Sequence, residues 1–383
     1  MRSSNYRASL ADDFERFKRE LPRDFAAHVR DVYGIDLSAR YLDEPIPHPI
    51  GKGSGQLSLN VGQLETDADA GLAFAVLKTV IAQDAAGTQS MAAWAIHESK
   101  MKVERLPPTR GDGWTVTWKG RGWDRSLDDY LALVRAAWDL TSAGELLAVP
   151  SVKYHLPRLD EPFRDAEYAF TTHALVKAWG QTPLLVEKDF SPTLAGDALA
   201  DEKQQILRWL REVPQQVRSK ASVRLAMKLM NARFDDDFQL EMMNAASGAD
   251  ALVVFNRLFD PERGAAYGGP ELSDRNLRVL DRASARPPIR PSLSGTGNIH
   301  SGRLVAEYAL RGCSSVQLHT FFQLPLEEYP ATDGSRTQRA LHALIFDPVD
   351  GLIAAMLDLE NREKLERHHG ELRFLDLCGH RDS

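Results

Sequence analysis

The chain has 383 residues, 43% of them hydrophobic and 26% charged, a composition typical of a globular protein with a large core. A formal net charge of −7 gives no support for nucleic-acid binding, and no apolar run approaches the length of a membrane span. The N-terminus lacks an apolar signal core, which favours a cytoplasmic protein. Cys313 and Cys378 are too few for a disulfide framework or a cysteine-based zinc site, and no metal site is predicted.

Residues 1–50 predict a helical extension followed by a linker. Helical periodicity runs from Leu10 to Val32, and the stretch from Pro45 to Gly55 is rich in proline and glycine. Because the apolar face of this helical stretch is narrow and its flanks are acidic, it is expected to pack against the main domain.

A strand–helix rhythm follows the linker. The predicted strands are Leu57–Val61, Phe74–Thr79, Trp114–Trp118, Ser151–Leu156, Leu252–Asn256, Ile289–Ser294 and Ser315–Leu318. One more is expected between residues 157 and 250, either Leu184–Phe190 or Val223–Leu229. Counting one of these two gives eight strands alternating with helices, which predicts an α/β (β/α)8 TIM barrel over residues 51–325. Residues 326–383 predict a helical tail on its outside.

A glycine-rich turn joins two of the predicted strands to the helix between them. Gly295-Thr296-Gly297-Asn298 follows a strand, Ser301-Gly302 opens the helix, and the next strand ends in His319-Thr320. Free backbone N–H groups at such a turn and helix N-terminus suit a phosphate. In (β/α)8 barrels the loops after the seventh and eighth strands often form a phosphate site. The sequence therefore predicts phosphate binding here.

Four segments in this half of the chain resemble a known family: GADALVVFN, YGGPELSDRNLRVL, GTGNIHSG and SVQLHT. They are similar to the C-terminal half of the dihydroorotate dehydrogenase family, whose members are FMN-dependent (β/α)8 barrels. LNVG at 59–62 and LKT at 77–79 resemble the first two strands of that family. The resemblance implies an FMN-dependent oxidoreductase that moves a hydride between a small anionic or planar substrate and flavin N5. The reaction typical of the family, dihydroorotate to orotate, belongs to pyrimidine metabolism.

The resemblance also implies roles for individual residues. The implied cofactor-binding residues are Asn60, Gly62, Lys78, Thr79, Lys228, Asn256, Gly268, Gly269, Gly295, Gly297, Asn298, Ser301, Gly302, His319 and Thr320. Lys78 and Asn256 are also implied to act in catalysis. Lys228 matches the strand-five lysine beside the flavin, and Lys188 competes for that role. The choice of Lys228 makes residues 183–222 an insertion.

The chain departs from the family at the substrate loops. Where the family carries a Cys or Ser base in a motif like N-x-S-C/S-P-N after strand four, the aligned run 153–158 places Leu156 at the base position. His155 is the adjacent candidate base, although adjacent strand residues point to opposite faces, and Tyr154 and Lys153 are further candidates. Lys119, Arg121, Lys153 and Arg158 would suit an anionic substrate or could be solvated loop residues.

Several alternatives stay open at this point. A substrate other than dihydroorotate fits the altered loops at least as well. A second hypothesis is a non-redox barrel that binds FMN or another phosphorylated ligand as a binding or regulatory protein. The electron acceptor is undetermined, and a homodimer is the usual form in the family.

Overall fold

The computed structural model describes residues 2–91, 100–106, 113–119, 122–190, 203–231, 235–260, 265–269 and 271–379. The α-helices of these ranges are α1 Arg2–Arg16, α2 Phe25–Tyr33, α3 Val61–Asp69, α4 Leu127–Ser142, α5 Asp165–Trp179, α6 Lys203–Arg218, α7 Asp236–Ala245, α8 Glu271–Ser284, α9 Gly302–Ala309, α10 Arg336–Phe346, α11 Leu352–Asn361 and α12 Phe374–Leu377. Within the same ranges, no helix combines the length and the apolar character needed to cross a bilayer.

The β-strands alternate with most of these helices. They are β1 Ile35–Asp36, β2 Ala39–Tyr41, β3 Glu44–Ile46, β4 Ile50–Lys52, β5 Phe74–Val76, β6 Val80–Ile81, β7 Lys100–Arg105, β8 Trp114–Lys119, β9 Leu147–Val149, β10 Ser151–Lys153, β11 Leu184–Asp189, β12 Val223–Lys228, β13 Ala251–Val254, β14 Leu258–Asp260, β15 Ala265–Tyr267, β16 Ser292–Thr296, β17 Cys313–Leu318 and β18 Leu372–Arg373.

Ten strands form one curled parallel sheet in the order β6-β10-β11-β12-β13-β16-β17-β4-β5-β9. Every residue of β11, β13 and β17 is buried, as expected where helices cover a parallel sheet on its outside and side chains fill its inside. The α/β class predicted from the strand–helix rhythm is therefore observed. Since all these strands are parallel, their carboxyl ends lie at one edge of the sheet, where the candidate site is found.

The first sheet strand differs from the prediction. Leu57–Val61 was expected to be a strand, but residues 57–60 form a turn and Val61 begins α3. The Asn60 side chain caps that helix by accepting the backbone N–H of Gln63 at 3.0 Å. The first strand is instead Ile50–Lys52, inside the stretch that the sequence assigned to a linker.

Both candidate strands between residues 157 and 250 are present. Leu184–Asp189 and Val223–Lys228 pair with each other over six consecutive positions in the middle of the sheet. Counting only one of them was therefore wrong. Residues 183–222, interpreted as an insertion, supply β11 and α6 to the alternating series and are part of the sheet architecture.

Two antiparallel hairpins follow strands of the parallel sheet. Trp114–Trp118 was predicted as a strand of the barrel, but β8 pairs with β7 outside the parallel sheet. The second hairpin, β14–β15, follows β13. The N–H of Gly268, next to the second hairpin, donates to the Thr115 hydroxyl of the first at 3.4 Å. The chain therefore brings together the two hairpins that follow β6 and β13.

The two ends of the described chain pack together. β1 and β18 form a short parallel pair, and His342 of α10 hydrogen-bonds the carbonyl of Phe14 at 2.8 Å and stacks on its ring. The hairpin β2–β3 leads into β4, and the Tyr41 ring stacks on Phe74 with centroids 4.4 Å apart. Gly51 allows this approach, because a Cβ there would overlap the Phe74 ring.

Candidate functional site

The loop Gly53-Ser54-Gly55 after β4 is the centre of the site, and sequence reasoning missed it. A Cβ on Gly53 would lie 3.2 Å from Lys228 Nζ, and a Cβ on Gly55 would overlap the His319 imidazole. This glycine loop, residues 53–55, therefore joins the carboxyl ends of β4, β12 and β17. The available signal was the run of alternating glycines at residues 51–55, directly after a short apolar segment. The sequence assigned that run to a linker.

Hydroxyl groups connect the glycine loop to the next strands. The Thr79 hydroxyl lies 2.8 Å from that of Ser54 and 3.0 Å from that of Ser151. It also lies 3.3 Å from the Asp189 carboxylate, which is itself 3.6 Å from the Lys153 ammonium. Four strand positions thus contribute to one polar network, in which Thr79, Ser151, Lys153 and Asp189 are buried and Ser54 is partly buried. Thr79 and Lys153 had been proposed as cofactor and substrate residues, whereas Asp189 had not been singled out.

Lys78 and His319 lie in the same cationic environment. Burial lowers the pKa of Lys78 to about 8, with further lowering by Lys153 and Arg257. Burial lowers the pKa of His319 well below its ordinary value, and Arg257, Lys228 and Lys78 act in the same direction. His319 is consequently neutral near pH 7. An anionic ligand at these strand ends would meet several positive charges.

The structure separates the two candidate strand-five lysines. Lys228 ends β12, and its ammonium donates to Gln317 Oε1 at 3.1 Å and lies 3.8 Å from Glu187 Oε1, next to the glycine loop. Lys188 points away from Glu187 because successive strand residues alternate faces. Its ammonium donates to the carbonyl of Asp189 at 3.0 Å and lies over the Phe190 ring. Burial lowers the pKa of Lys188 to about 7.

The end of β13 is braced by two asparagines that sequence reasoning missed. Asn256, a predicted site residue, accepts a hydrogen bond at its carbonyl from the Asn231 amide. The Asn276 amide donates to the carbonyls of Phe255 at 2.9 Å and Thr296 at 2.7 Å. Asn231 and Asn276 are also within hydrogen-bond distance of each other at 3.3 Å. These bonds fix the backbone at the carboxyl ends of β13 and β16.

The predicted phosphate turn lies at the carboxyl end of β16. Gly297 has a φ of +112° and Asn298 a φ of +49°, so the turn uses left-handed backbone conformations that favour these residue types. Ser301 caps α9, accepting the N–H of Leu304 at 3.2 Å. The turn and the helix N-terminus therefore face the same edge of the sheet as the glycine loop.

Two glycines of the same segment have a packing role. A Cβ on Gly295 would overlap the Tyr308 ring, and one on Gly302 would overlap the backbone of Leu352 at the start of α11. The glycine pair Gly268-Gly269 lies elsewhere, beside the end of β17: a Cβ on Gly268 would be 3.8 Å from the Thr320 hydroxyl.

Other predicted site residues are exposed or have partners of their own. Asn60 and Gly62 are exposed in the first turn of α3. The His155 side chain lies 3.0 Å from Glu161 in the loop before α5, and burial lowers the pKa of its imidazole. Leu156 is partly buried against the core, and Arg158 is exposed. Arg121 and the side chain of Lys119 lie outside the described residues.

The run 153–158, which the sequence places after a fourth barrel strand, follows β10 and precedes β11. The predicted strand Trp114–Trp118, which is counted before that run, lies in β8 outside the parallel sheet.

In the part of the chain that the structure describes, no group of three or more His, Cys, Asp or Glu side chains could hold a metal ion. No protein-family model matches this chain, and a search of curated proteins finds no match.

Proposed function

We propose that this protein is an FMN-dependent oxidoreductase related to the dihydroorotate dehydrogenases. The observation that carries the proposal is the convergence of the glycine loop, Thr79, Lys228 and His319 at one edge of a parallel sheet. Ligands of parallel α/β folds bind at the carboxyl ends of the strands. The resemblance of the surrounding sequence to an FMN-binding family favours FMN as the ligand.

We further propose that the parallel strands make a complete (β/α)8 barrel. Only Pro150 separates β9 from β10, and residues 77–79 separate β5 from β6. Each pair then counts as one strand in two segments, since β5 pairs with β9 and β6 pairs with β10. Counted this way, the ten segments are eight strands whose parallel pairings return from β17 through β4 to β5.

The residues at the edge of the sheet fit the parts of FMN. The turn at Gly297-Asn298, the N-terminus of α9 and Thr320 suit the phosphate. Lys228 beside the glycine loop suits the ring, where a cation stabilises the negative charge of a reduced flavin. When bound, FMN would supply a two-electron acceptor at its N5. The buried cations Lys78 and Lys153 favour an anionic substrate next to it.

The proposed count of eight strands makes β11 the fourth and moves the proposed base. The family motif after strand four contains a Cys or Ser followed by proline, and the sequence directly after β11 reads Phe190-Ser191-Pro192. We therefore propose Ser191, in place of Leu156 or His155, as the residue whose oxygen would take a proton from the substrate and pass its own to solvent, with FMN as the acceptor of the hydride from the neighbouring carbon. Ser191 lies outside the described residues, and its assignment is by sequence.

The first experiment is the absorbance spectrum of the purified protein. We expect the visible bands of oxidised flavin, bleached by dithionite, and release of FMN on denaturation. Lys228→Met should weaken FMN uptake, whereas Lys188→Met, which removes a buried lysine from the other face of the sheet, should not. A colourless protein that takes up no added FMN would refute the proposal.

The second experiment tests the redox step. Anaerobic mixing with dihydroorotate, and with a panel of related unsaturated and saturated carboxylates, should reduce the flavin for at least one compound. Ser191→Ala should slow that reduction and Ser191→Cys should retain it. A flavin-containing protein that no compound of the panel reduces would instead favour the alternative, a barrel that binds FMN without turning it over.

A further inference from the structure

A buried polar cluster of Glu187, Gln317 and Tyr41 lies next to Lys228 inside the sheet. Glu187 of β11 is fully buried, and its Oε2 accepts hydrogen bonds from the Tyr41 hydroxyl at 2.9 Å and from the Gln317 amide at 2.6 Å. Its other oxygen, Oε1, accepts no hydrogen bond from the residues that the structure describes and lies 3.8 Å from Lys228 Nζ. Burial of a carboxylate reduces the free energy of unfolding unless the charge is compensated, so packing alone does not explain the presence of Glu187 here.

Gln317 links the carboxylate to the lysine. Its amide nitrogen donates to Glu187 and lies 3.1 Å from the Tyr41 hydroxyl, while its carbonyl oxygen accepts from Lys228 at 3.1 Å. This donor and acceptor pattern allows only one orientation of the amide. Gln317 therefore transmits the position of Glu187 to the Lys228 ammonium, and Tyr41 anchors the group to the hairpin β2–β3.

The lysine has little freedom on its other side. A Cβ on Gly53 would come within 3.2 Å of both Lys228 Nζ and Gln317 Oε1, so the backbone of the glycine loop lies directly against the pair. The Lys228 ammonium is thus held between Glu187 and Gln317 on one side and the glycine loop on the other. A ligand lying on that loop would experience the charge of Lys228 together with the opposing charge of Glu187.

We propose that Glu187 is a positioning residue for Lys228. Glu187 holds the Lys228 ammonium group against the glycine loop and offsets the charge of that ammonium at the flavin ring. This inference rests on the proposed function for the flavin, while the pairing of Glu187 with Lys228 stands on the geometry alone. Removal of the carboxylate would leave the lysine charge less compensated. The flavin would then accept electrons more readily, because the lysine charge stabilises negative charge on the ring. It would also bind more tightly a nucleophile that leaves negative charge on the ring.

The test compares Glu187→Gln with the wild-type protein. Sulfite adds to N5 of oxidised flavin and leaves negative charge on the ring, so its dissociation constant reports the positive charge nearby. We expect Glu187→Gln to bind sulfite at least tenfold more tightly and to raise the two-electron flavin potential by ~30 mV, the equivalent of a tenfold change. Glu167→Gln, which removes another buried carboxylate, bonded to Ser90 and to the His155 backbone, should change neither value. An unchanged sulfite affinity and potential in folded Glu187→Gln would overturn the proposal.

A second measurement does not need the flavin. Urea unfolding of Glu187→Gln, Lys228→Met and the double variant forms a double-mutant cycle. We expect the double variant to lose less stability than the sum of the two single losses, because each single change leaves one buried partner behind. Additive losses would overturn the pairing. If the wild-type protein takes up no FMN, the proposed function fails by itself, and this cycle alone decides whether Glu187 and Lys228 act together.

Discussion

Lys52 and Asp67 form a buried ion pair whose disruption tests the packing of the first strand. Lys52 is 5% exposed and Asp67 1% exposed, and the ammonium of Lys52 donates directly to Asp67 Oδ1. The Thr337 hydroxyl accepts from Lys52 at 2.7 Å and donates to the same carboxylate at 2.8 Å. This triad joins β4, α3 and α10, so the predicted linker, the first helix after it and the tail depend on each other.

Lys52→Met would leave the Asp67 carboxylate buried, with Thr337 as the remaining side-chain donor among the described residues. Breaking a buried pair in this way costs about 3–5 kcal/mol. Burial already raises the pKa of Asp67, and Lys52 and Thr337 oppose that rise. Without Lys52 the pKa rises further, so the folded state binds a proton that the unfolded state has released. Stability of the variant therefore falls as pH rises, and its deficit should be larger at pH 8 than at pH 5.

Urea denaturation at both pH values measures this prediction. The double variant Lys52→Met/Asp67→Leu should regain most of the lost stability, because an apolar pair of similar volume replaces both charges. Lys203→Met is a matched control: it breaks the exposed pair with Asp235 and should leave the urea midpoint unchanged. A loss below about 1 kcal/mol for Lys52→Met at pH 8 would contradict the buried pairing.

Three further predictions concern single residues. Gly302→Ala should destabilise the protein by about 1–3 kcal/mol in urea denaturation, because its Cβ would overlap the backbone at the start of α11. A variant as stable as the wild-type protein would contradict this and show that α9 and α11 can move apart at no cost. Ser301→Ala should cost ~1 kcal/mol through loss of the cap on Leu304, while Ser301→Asp should retain it. Burial lowers the pKa of His48 to about 4, and its Nδ1 accepts the N–H of Ile50, so the folded state holds a neutral ring. The unfolded state therefore binds more protons, and between pH 7.5 and pH 5 the wild-type protein should lose about 2 kcal/mol more than His48→Gln; equal losses would refute this.

Local sequence patterns predicted much of the second half of the chain. The run from Ala251 to Thr320 carries apolar strands, an amphipathic helix and glycine turns whose residue types tolerate left-handed backbone angles, as at Gly297 and Asn298. Such signals depend on residues that are close in sequence, so they can be read without knowledge of the fold. The α/β class and the positions of β13, β16, α9 and β17 followed from them.

The first half was less predictable for a physical reason. β4 is only three residues long and lies among prolines and glycines, so it has no periodicity of its own, and its pairing with β17 and β5 makes it a strand. β8 has the sequence pattern of a strand but pairs with β7 outside the parallel sheet. The pattern predicts a strand, whereas the available partner determines which sheet that strand joins.

The sequence by itself determined the residue types of the candidate site, namely lysines at strand ends and glycine turns. Only the tertiary structure decided which of them meet. Lys188 and Lys228 compete for one role in the sequence, and the register of β11 and β12 directs Lys228 to Gln317 and Lys188 to the other face. Glu187 and the glycine loop gained significance in the same way, because side chains far apart in sequence become neighbours only when strands pair and their faces are fixed.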